Sequence, residues 1–269
     1  MKNVFPHANQ APGYWSAYAK PVDPLIESLE LLGAKWIAPE AGVGTIFDSK
    51  GNMQTLMTPT YVSAYRALNL GLYPWIYYTP HSAMADLSYL SKLLDLGIDG
   101  LILDVETEWQ GVPAGTAKAF VDRVRKVVGS NTFVGFSSFD IPLWHGNFPW
   151  SEFCALDANF PQLYAYEHDD QGYVHWSDIY DRQWKIMDSH LDVAACPRYP
   201  IGCNYRPAKR GGKVLGPFDN VKLAKDIASA NSKMTGGWYT IEMIMDGPHE
   251  VYEAMLPGGP LSVPPPFCP

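Results

Sequence analysis

Eight apolar runs of strand length recur along this chain, and between them lie stretches with the 3.6-residue period of amphipathic helices. That rhythm calls for a parallel sheet with crossover helices. The strand candidates are Asn3–His7, Lys35–Pro39, Leu72–Tyr78, Leu101–Glu106, Thr132–Ser137, Ala158–Tyr164, Tyr199–Asn204 and Gly237–Met243. The helices are punctuated at both ends. Asp23-Pro24 opens one that closes at Gly33, Thr58-Pro59 opens one that closes at Gly71, and the stretches Met84–Leu96 and Thr116–Val128 run into Gly97 and Gly129. Proline is pre-set for a first helical turn and glycine accepts the left-handed conformation just past the last. Further helices are expected at Trp176–His190, Asn220–Ser229 and Pro248–Met255, while Phe139–Phe153, rich in Pro, Trp and Gly, has room only for a short one. Eight such units close into a single (β/α)8 TIM-type barrel of the α/β class. A doubly wound open sheet is the alternative, weakened by the lack of a Gly-rich phosphate loop after the first run. Residues 1–256 are expected to form the barrel and 257–269, PGGPLSVPPPFCP, an extended tail.

Composition narrows the partners. With 269 residues, 47% of them apolar, the chain can bury a large core, and a net charge of −8 disfavours nucleic acid and anionic membrane surfaces. Nine Trp and 16 Tyr supply flat rings that stack on sugar faces or fill an interior. The N-terminus, MKNVFPHANQAPGYW, has no apolar stretch of signal-peptide length, and no run of about 18 apolar residues occurs. A protein that is cytoplasmic on synthesis is therefore expected, with no membrane partner. Cys154, Cys196, Cys203 and Cys268 show no CxxC spacing and are expected as thiols, a Cys196–Cys203 bridge being left open.

The chemistry concentrates in GIDGLILDVETEW, where an apolar strand leaves an Asp-Gly turn and ends in Asp104 and Glu106. Residues two apart on a strand share a face, with Cα atoms about 6 to 7 Å apart, so the two carboxyls can share a proton. Local ion pairing does not account for them, since the nearest basic residues, Lys92 and Lys118, are each more than ten positions away. At the C-terminal ends of barrel strands, where such sites gather, the other candidates are His7, Asn9, Glu40, Tyr78, His81, Ser137, Ser138, Gln162, Tyr164, Tyr166, Asn204, Trp238 and Glu242. Carboxylates, amides and rings together fit carbohydrate chemistry. Trp109 and the Trp144–Trp150 loop are candidate sugar subsites, and Glu108 is the fallback acid. No cofactor is implied. A metal reading through His7, His81 and Asp104 is the minor alternative, because no HxH or HExxH spacing is present.

The run DGLILDVE resembles the DGxDxDxE signature of family 18 glycoside hydrolases: Asp99, Gly100, Asp104 and Glu106 match, and Ile102 stands where that family has its first middle Asp. The resemblance implies a (β/α)8 barrel with Glu106 as general acid and Asp104 supporting the substrate's N-acetyl group, whose carbonyl is the nucleophile. PQLYAYE resembles the QxMxYD strand, so Gln162 and Tyr164 or Tyr166 would contact the acetamide, and Trp238 resembles the aromatic floor under the reacting sugar. The shorter DxE pattern is similar to that of family 25 lysozymes, whose strand-one Asp is replaced here by FPHAN. Lys35–Gly111 is similar to glycoside-hydrolase-like barrels of bacteriophage and bacterial proteins. These likenesses imply cleavage of a β-linked N-acetylated polysaccharide, peptidoglycan or chitin-like, by an endolysin-like protein acting on the cell wall after release. The competing expectation is a non-catalytic glycan-binding or structural barrel, for example a phage particle component.

Overall fold

The computed structural model describes residues 2–7, 13–17, 20–21, 23–43, 56–84, 87–139, 145–163, 185–186, 189, 196–203, 209–210, 213–214 and 235–239. Its strands are β1 Gly13–Ser16, β2 Trp36–Val43, β3 Gly71–Leu72, β4 Trp75–Tyr77, β5 Gly100–Asp104, β6 Phe133–Ser138, β7 Ala158–Leu163, β8 Ile201–Cys203, the antiparallel pair β9 Lys209–Arg210 and β10 Lys213–Val214, and β11 Trp238–Tyr239. Every pairing in the main sheet is parallel, in the order β1-β11-β8-β7-β6-β5-β4-β2-β3, and β1 also pairs with β2. That last pairing closes the ring. β3 and β4 are the two halves of one strand, separated at Tyr73-Pro74, where proline has no N–H to give the ladder. Eight strand positions thus make the expected (β/α)8 barrel.

Helices α1 Asp23–Leu31, α2 Pro59–Ala67, α3 Pro80–Ala83, α4 Ser88–Asp95, α5 Ala114–Val128 and α6 Trp150–Phe153 lie in the connections. The punctuation holds at Gly33, Gly97 and Gly129 but not at Gly71: α2 ends at Ala67, Asn69 takes the left-handed turn at φ +58° and Gly71 opens β3. Thr58 caps α2, its hydroxyl accepting from the Tyr61 N–H, with Pro59 in the first turn. Gly97, at φ +83°, ends the turn after α4 in a conformation that a side chain would strain. The single helix expected over Met84–Leu96 is shorter, Ser88–Asp95, and a separate turn of helix, α3, precedes it. Of the later helices, most of Trp176–His190 and all of Asn220–Ser229 and Pro248–Met255 lie outside the described residues, as does the tail.

The first strand is a correction. Asn3–His7 is not a strand, and β1 is Gly13–Ser16. The Asn3 N–H donates to Asp157 Oδ1 at 2.8 Å and its side-chain amide to the Ser130 and Thr132 carbonyls, so these groups are engaged with loops instead of a ladder. Asp157 is itself buried and also accepts from the Val134 N–H (2.8 Å) and pairs with Arg125 at 2.7 Å. β1 owes its place to Gly13: a Cβ there would lie 1.8 Å from Cε2 of Trp36, so only glycine lets the Trp36 ring pass.

The two faces of the strands carry two clusters. Leu101, Leu103, Val105, Val134 and Phe136 meet the helices. Trp15, Trp36, Ala38, Tyr73, Trp75, Ile102, Phe133, Ala158, Phe160 and Ile201 fill the bore with Phe5. Phe5 makes ring contacts at 5.1 to 5.3 Å with Trp36, Tyr73, Phe133, Phe160 and Tyr199, residues drawn from around the ring, and so plugs the N-terminal end. Cys154 and Cys196 are buried free thiols whose side chains hydrogen-bond to each other; Cys203 and Cys268 are not described at the side-chain level. Replacing Phe5 with Ala empties the plug and is expected to lower stability by about 3 to 5 kcal/mol. Val4→Ala, at a site 76% exposed, is expected to change it by less than about 0.5 kcal/mol. Urea unfolding of both variants checks this, and equal midpoints would refute the plug.

Candidate active site

The rows of side chains that fill the bore change character toward the C-terminal ends of the strands. Following each inward row upward, Trp36 and Ala38 lead to Glu40, Trp75 to Tyr77, Ile102 to Asp104, Phe133 and Gly135 to Ser137, and Ala158 and Phe160 to Gln162. Ladder register aligns Tyr77 with Asp104 and Asp104 with Ser137. The stagger of a closed barrel carries Gln162 across to the same place.

Gln162 is the hub. Its Nε2 donates to Glu106 Oε1 at 2.8 Å, to Ser137 Oγ at 3.0 Å and to Asp104 Oδ1 at 3.2 Å, two N–H groups shared among three acceptors. The Ser137 hydroxyl in turn hydrogen-bonds Asp104, and the Asp104 carboxyl hydrogen-bonds Glu106. Burial, reinforced by the Glu106 charge, pushes Asp104 well above the usual carboxylate range. Burial raises Glu106 too, against the hydrogen bond from Gln162 that favours its ionised form. One proton is therefore held between two carboxyls, with Asp104 donating to Glu106. Such a pair can pass that proton from Asp104 to Glu106 and on to a substrate.

Tyr77 was missed by the sequence reading, which took its neighbour. Its hydroxyl donates to the Glu108 carboxylate, and burial followed by that bond keeps the phenol protonated far above its ordinary range. The missing signal was strand phase: with Trp75 inward, Tyr77 is inward and Tyr78 is not. Tyr78 is fully buried among the helices, against Phe120 and Tyr89, and does not reach the mouth. Trp109 is corrected likewise. Its ring is fully buried, stacked on Phe120 at 5.3 Å with Nε1 donating to the Tyr78 carbonyl, so it offers no subsite. Trp150 is also buried, donating to the His145 carbonyl. Trp238 pairs in register with Tyr14 and joins the buried outer cluster, so it is not a floor to the mouth.

Glu40 is half-buried at the mouth, Ser138 is fully buried, and His81 is exposed on α3. Asn9, Tyr164, Tyr166, Asn204, Glu242 and Trp144 lie outside the described residues. His7 sits at the other end of the barrel, with Nε2 2.3 Å from where a Gly71 Cβ would stand, beside Phe5 and Tyr73. Gly71 pairs with Trp36 whereas Tyr77, level with Asp104, pairs with Val43, so seven residues of β2 separate the two levels, about 20 Å. His7 and Asp104 cannot share a metal, and among the described residues no group of His, Cys, Asp and Glu is arranged to hold one. Asp99 of the DGLILDVE run is a latch at that far end, accepting from the Leu72 N–H and from Arg66, each at 2.8 Å. No helix among the described residues is long and apolar enough to cross a membrane.

No protein-family model matches the chain, and no curated protein is similar to it in sequence. Solved structures do resemble it. A chitinase from Chromobacterium violaceum superposes with a TM-score of 0.58 at 12% identity, over 90% of this chain and 97% of that one. A xylanase and amylase inhibitor protein gives 0.56 at 12% identity, over 93% and 100%. Active domain 2 of the thermostable chitinase from Pyrococcus furiosus gives 0.50 at 14% identity, over 96% and 93%. At these identities the likeness is one of fold, and it makes this chain an α/β protein of the (β/α)8 class.

The raised carboxyls have a thermodynamic signature. A group raised on folding stabilises the native state while protonated, and that contribution is lost as pH climbs through its folded value. Asparagine at position 104 has nothing to lose. The melting temperature of Asp104→Asn is therefore expected to gain on wild type between pH 4 and pH 8, as followed by calorimetry. A variant that instead loses ground to wild type over that range would show an ionised Asp104 to be stabilised in the fold.

Proposed function

We propose that this chain is a glycoside hydrolase acting on β-linked N-acetylated glycans, with Glu106 as general acid and Asp104 as its partner. What carries the reading is the hydrogen-bonded set Asp104–Glu106–Gln162–Ser137, recessed at the mouth of a barrel. An acid must still hold its proton near working pH, and burial raises Glu106 toward that condition. In the reaction the Glu106 proton passes to the glycosidic oxygen as the C1–O bond breaks, and the substrate's own acetamide oxygen bonds to C1. Asp104, having passed its proton along the shared hydrogen bond to Glu106, accepts the acetamide N–H and offsets the charge that develops there. Water then opens the cyclic intermediate, and Glu106, now a carboxylate, takes the water's proton. Gln162 and Ser137 orient both carboxyls without adding a positive charge.

Chitinases among the structures of similar fold favour a chitin-like polymer, and peptidoglycan shares the β-linked N-acetylated sugar that this chemistry needs. A cell-wall-lytic role is the narrower form of the proposal. A non-catalytic glycan-binding barrel is the second reading, favoured by the burial of Trp238 away from the mouth. Wild type and Glu106→Gln incubated with chitin oligomers and with peptidoglycan, with products read by mass spectrometry, separate these readings. Wild type is expected to release oligosaccharides, and the variant to be slower by about a hundredfold or more with an unchanged melting curve. Undiminished turnover by the variant would remove Glu106 as the acid; binding without product from wild type would favour the second reading.

A further inference from the structure

The outer cluster of the barrel holds a pair of nucleophiles that the chemistry at the mouth does not use. Cys154 closes α6, its N–H donating to the Trp150 carbonyl at 2.8 Å, and stands just before β7. Cys196 precedes Pro197 on the segment that leads into β8. The two stretches are laced together by backbone. The Asn159 N–H donates to the Pro197 carbonyl at 2.8 Å, the Tyr199 N–H donates to the Asn159 carbonyl at 2.9 Å, and Asn159 forms a parallel bridge with Arg198. Cys154 and Cys196, far apart in the sequence, are thereby brought into one apolar cluster, 7% and 2% exposed, with their thiols hydrogen-bonded to each other. The Cys196–Cys203 pairing left open by the sequence is thus not the contact that the fold makes: the thiol partner of Cys196 is Cys154.

We propose that Cys154 and Cys196 are a reversible dithiol–disulfide site, oxidised by a hydroperoxide and reduced by a dithiol, whose bridge staples the end of α6 to the segment entering β8. Thiols in hydrogen-bond contact already meet the condition on which a disulfide depends, that the two Cβ–Sγ bonds converge, and the backbone on both sides is held in place. The surroundings also distinguish the two sulfurs. The Cys154 thiol donates to Cys196, and the Lys2 and Arg198 charges and the Asn159 N–H add to it, so Cys196 is held below the ordinary thiol range against the burial that raises it. Lys2 is fixed there by donating its ammonium to the Cys154 carbonyl at 2.5 Å. With hydrogen peroxide, the Cys196 thiolate attacks one oxygen, the O–O bond breaks, and hydroxide leaves to take up the proton that Cys196 gave up. The Cys154 sulfur then attacks the resulting sulfenic sulfur, and the S–O bond breaks as the oxygen departs as water with the Cys154 proton. Two thiols and one peroxide become one disulfide and two waters. The covalent loop so closed contains all of β7, and the bridge lies at the opposite end of that strand from Gln162.

The test treats the full reduced chain with hydrogen peroxide, alkylates the remaining thiols, and maps the unreduced digest by mass spectrometry beside a melting curve. The peptides that carry Cys154 and Cys196 are expected to appear linked, two hydrogen atoms lighter than their sum, and to separate again with dithiothreitol. Because the bridge constrains the unfolded chain, the oxidised protein is expected to melt higher by about 5 °C. The double variant Cys203→Ser/Cys268→Ser is expected to form the same bridge, and Cys196→Ala to form none and to show no rise in melting temperature. Linkage of Cys196 to Cys203, oxidation to sulfinic acid without a linked peptide, a pair that stays reduced, or a bridge that lowers the melting temperature would each overturn the proposal. The map of the wild-type chain decides the pairing even where a substitution prevents folding, and none of these readouts depends on Glu106 being an acid catalyst.

Discussion

Alternation across a β-strand is the constraint from which both the core and the mouth of this barrel follow. In a closed ring one set of alternate residues must fill the bore and the other must meet the helices. Here the inward set is dominated by rings at the N-terminal end, where Phe5, Trp36, Tyr73, Phe133 and Phe160 leave no channel. The same rows end in Glu40, Tyr77, Asp104, Ser137 and Gln162. A polar mouth over an aromatic stopper has a direct electrostatic consequence. The carboxyls stand directly above a floor of buried rings, so each charge there is poorly hydrated and each hydrogen bond between them is stronger than it would be in water.

The choice of partners for the acid pair follows from that setting. A Lys or Arg within reach would repay the desolvation of a carboxylate, but it would also favour the doubly ionised state and draw the proton off. The hydrogen bonds from Gln162 and Ser137 come from neutral groups. They fix the carboxyl planes and leave the repulsion between the two acids in force, which is what keeps a proton in the site. The cost is stability at high pH, borne by the folded state as a whole.

Much of this was legible in the sequence because periodicity is local information. The barrel, the helix ends at Gly97 and Gly129, and the shared face of Asp104 and Glu106 all follow from spacings within a few residues. The errors at Tyr78 and Trp238 share another character: each depends on the phase of a strand, which only its neighbours set. Tyr77 and Tyr78 are chemically identical in the sequence, and Pro74 breaks the run that would otherwise carry the phase through. In the structure the phase is set by Trp75, which turns inward to donate its indole N–H to the Ser16 carbonyl at 2.9 Å. Trp238 faces outward because it is level with Tyr14, a partner more than two hundred residues away. Gly13–Ser16 is only four residues long, and its identity as β1 follows from the Trp36 ring that only Gly13 can accommodate.

Ile102 gives the same logic a chemical outcome. It is fully buried in the bore, in register with Trp75 on one side and Gly135 on the other, one inward position below Asp104. An acid at this place would need hydrogen-bond donors, and its neighbours in the inner cluster, Trp75 and Phe133 among them, present rings; the Trp75 N–H is already given to Ser16. A carboxyl buried there without a partner would cost several kcal/mol or remain neutral. An aromatic stopper immediately beneath the pair and a third inward carboxylate on β5 are therefore competing solutions, and this chain has adopted the stopper.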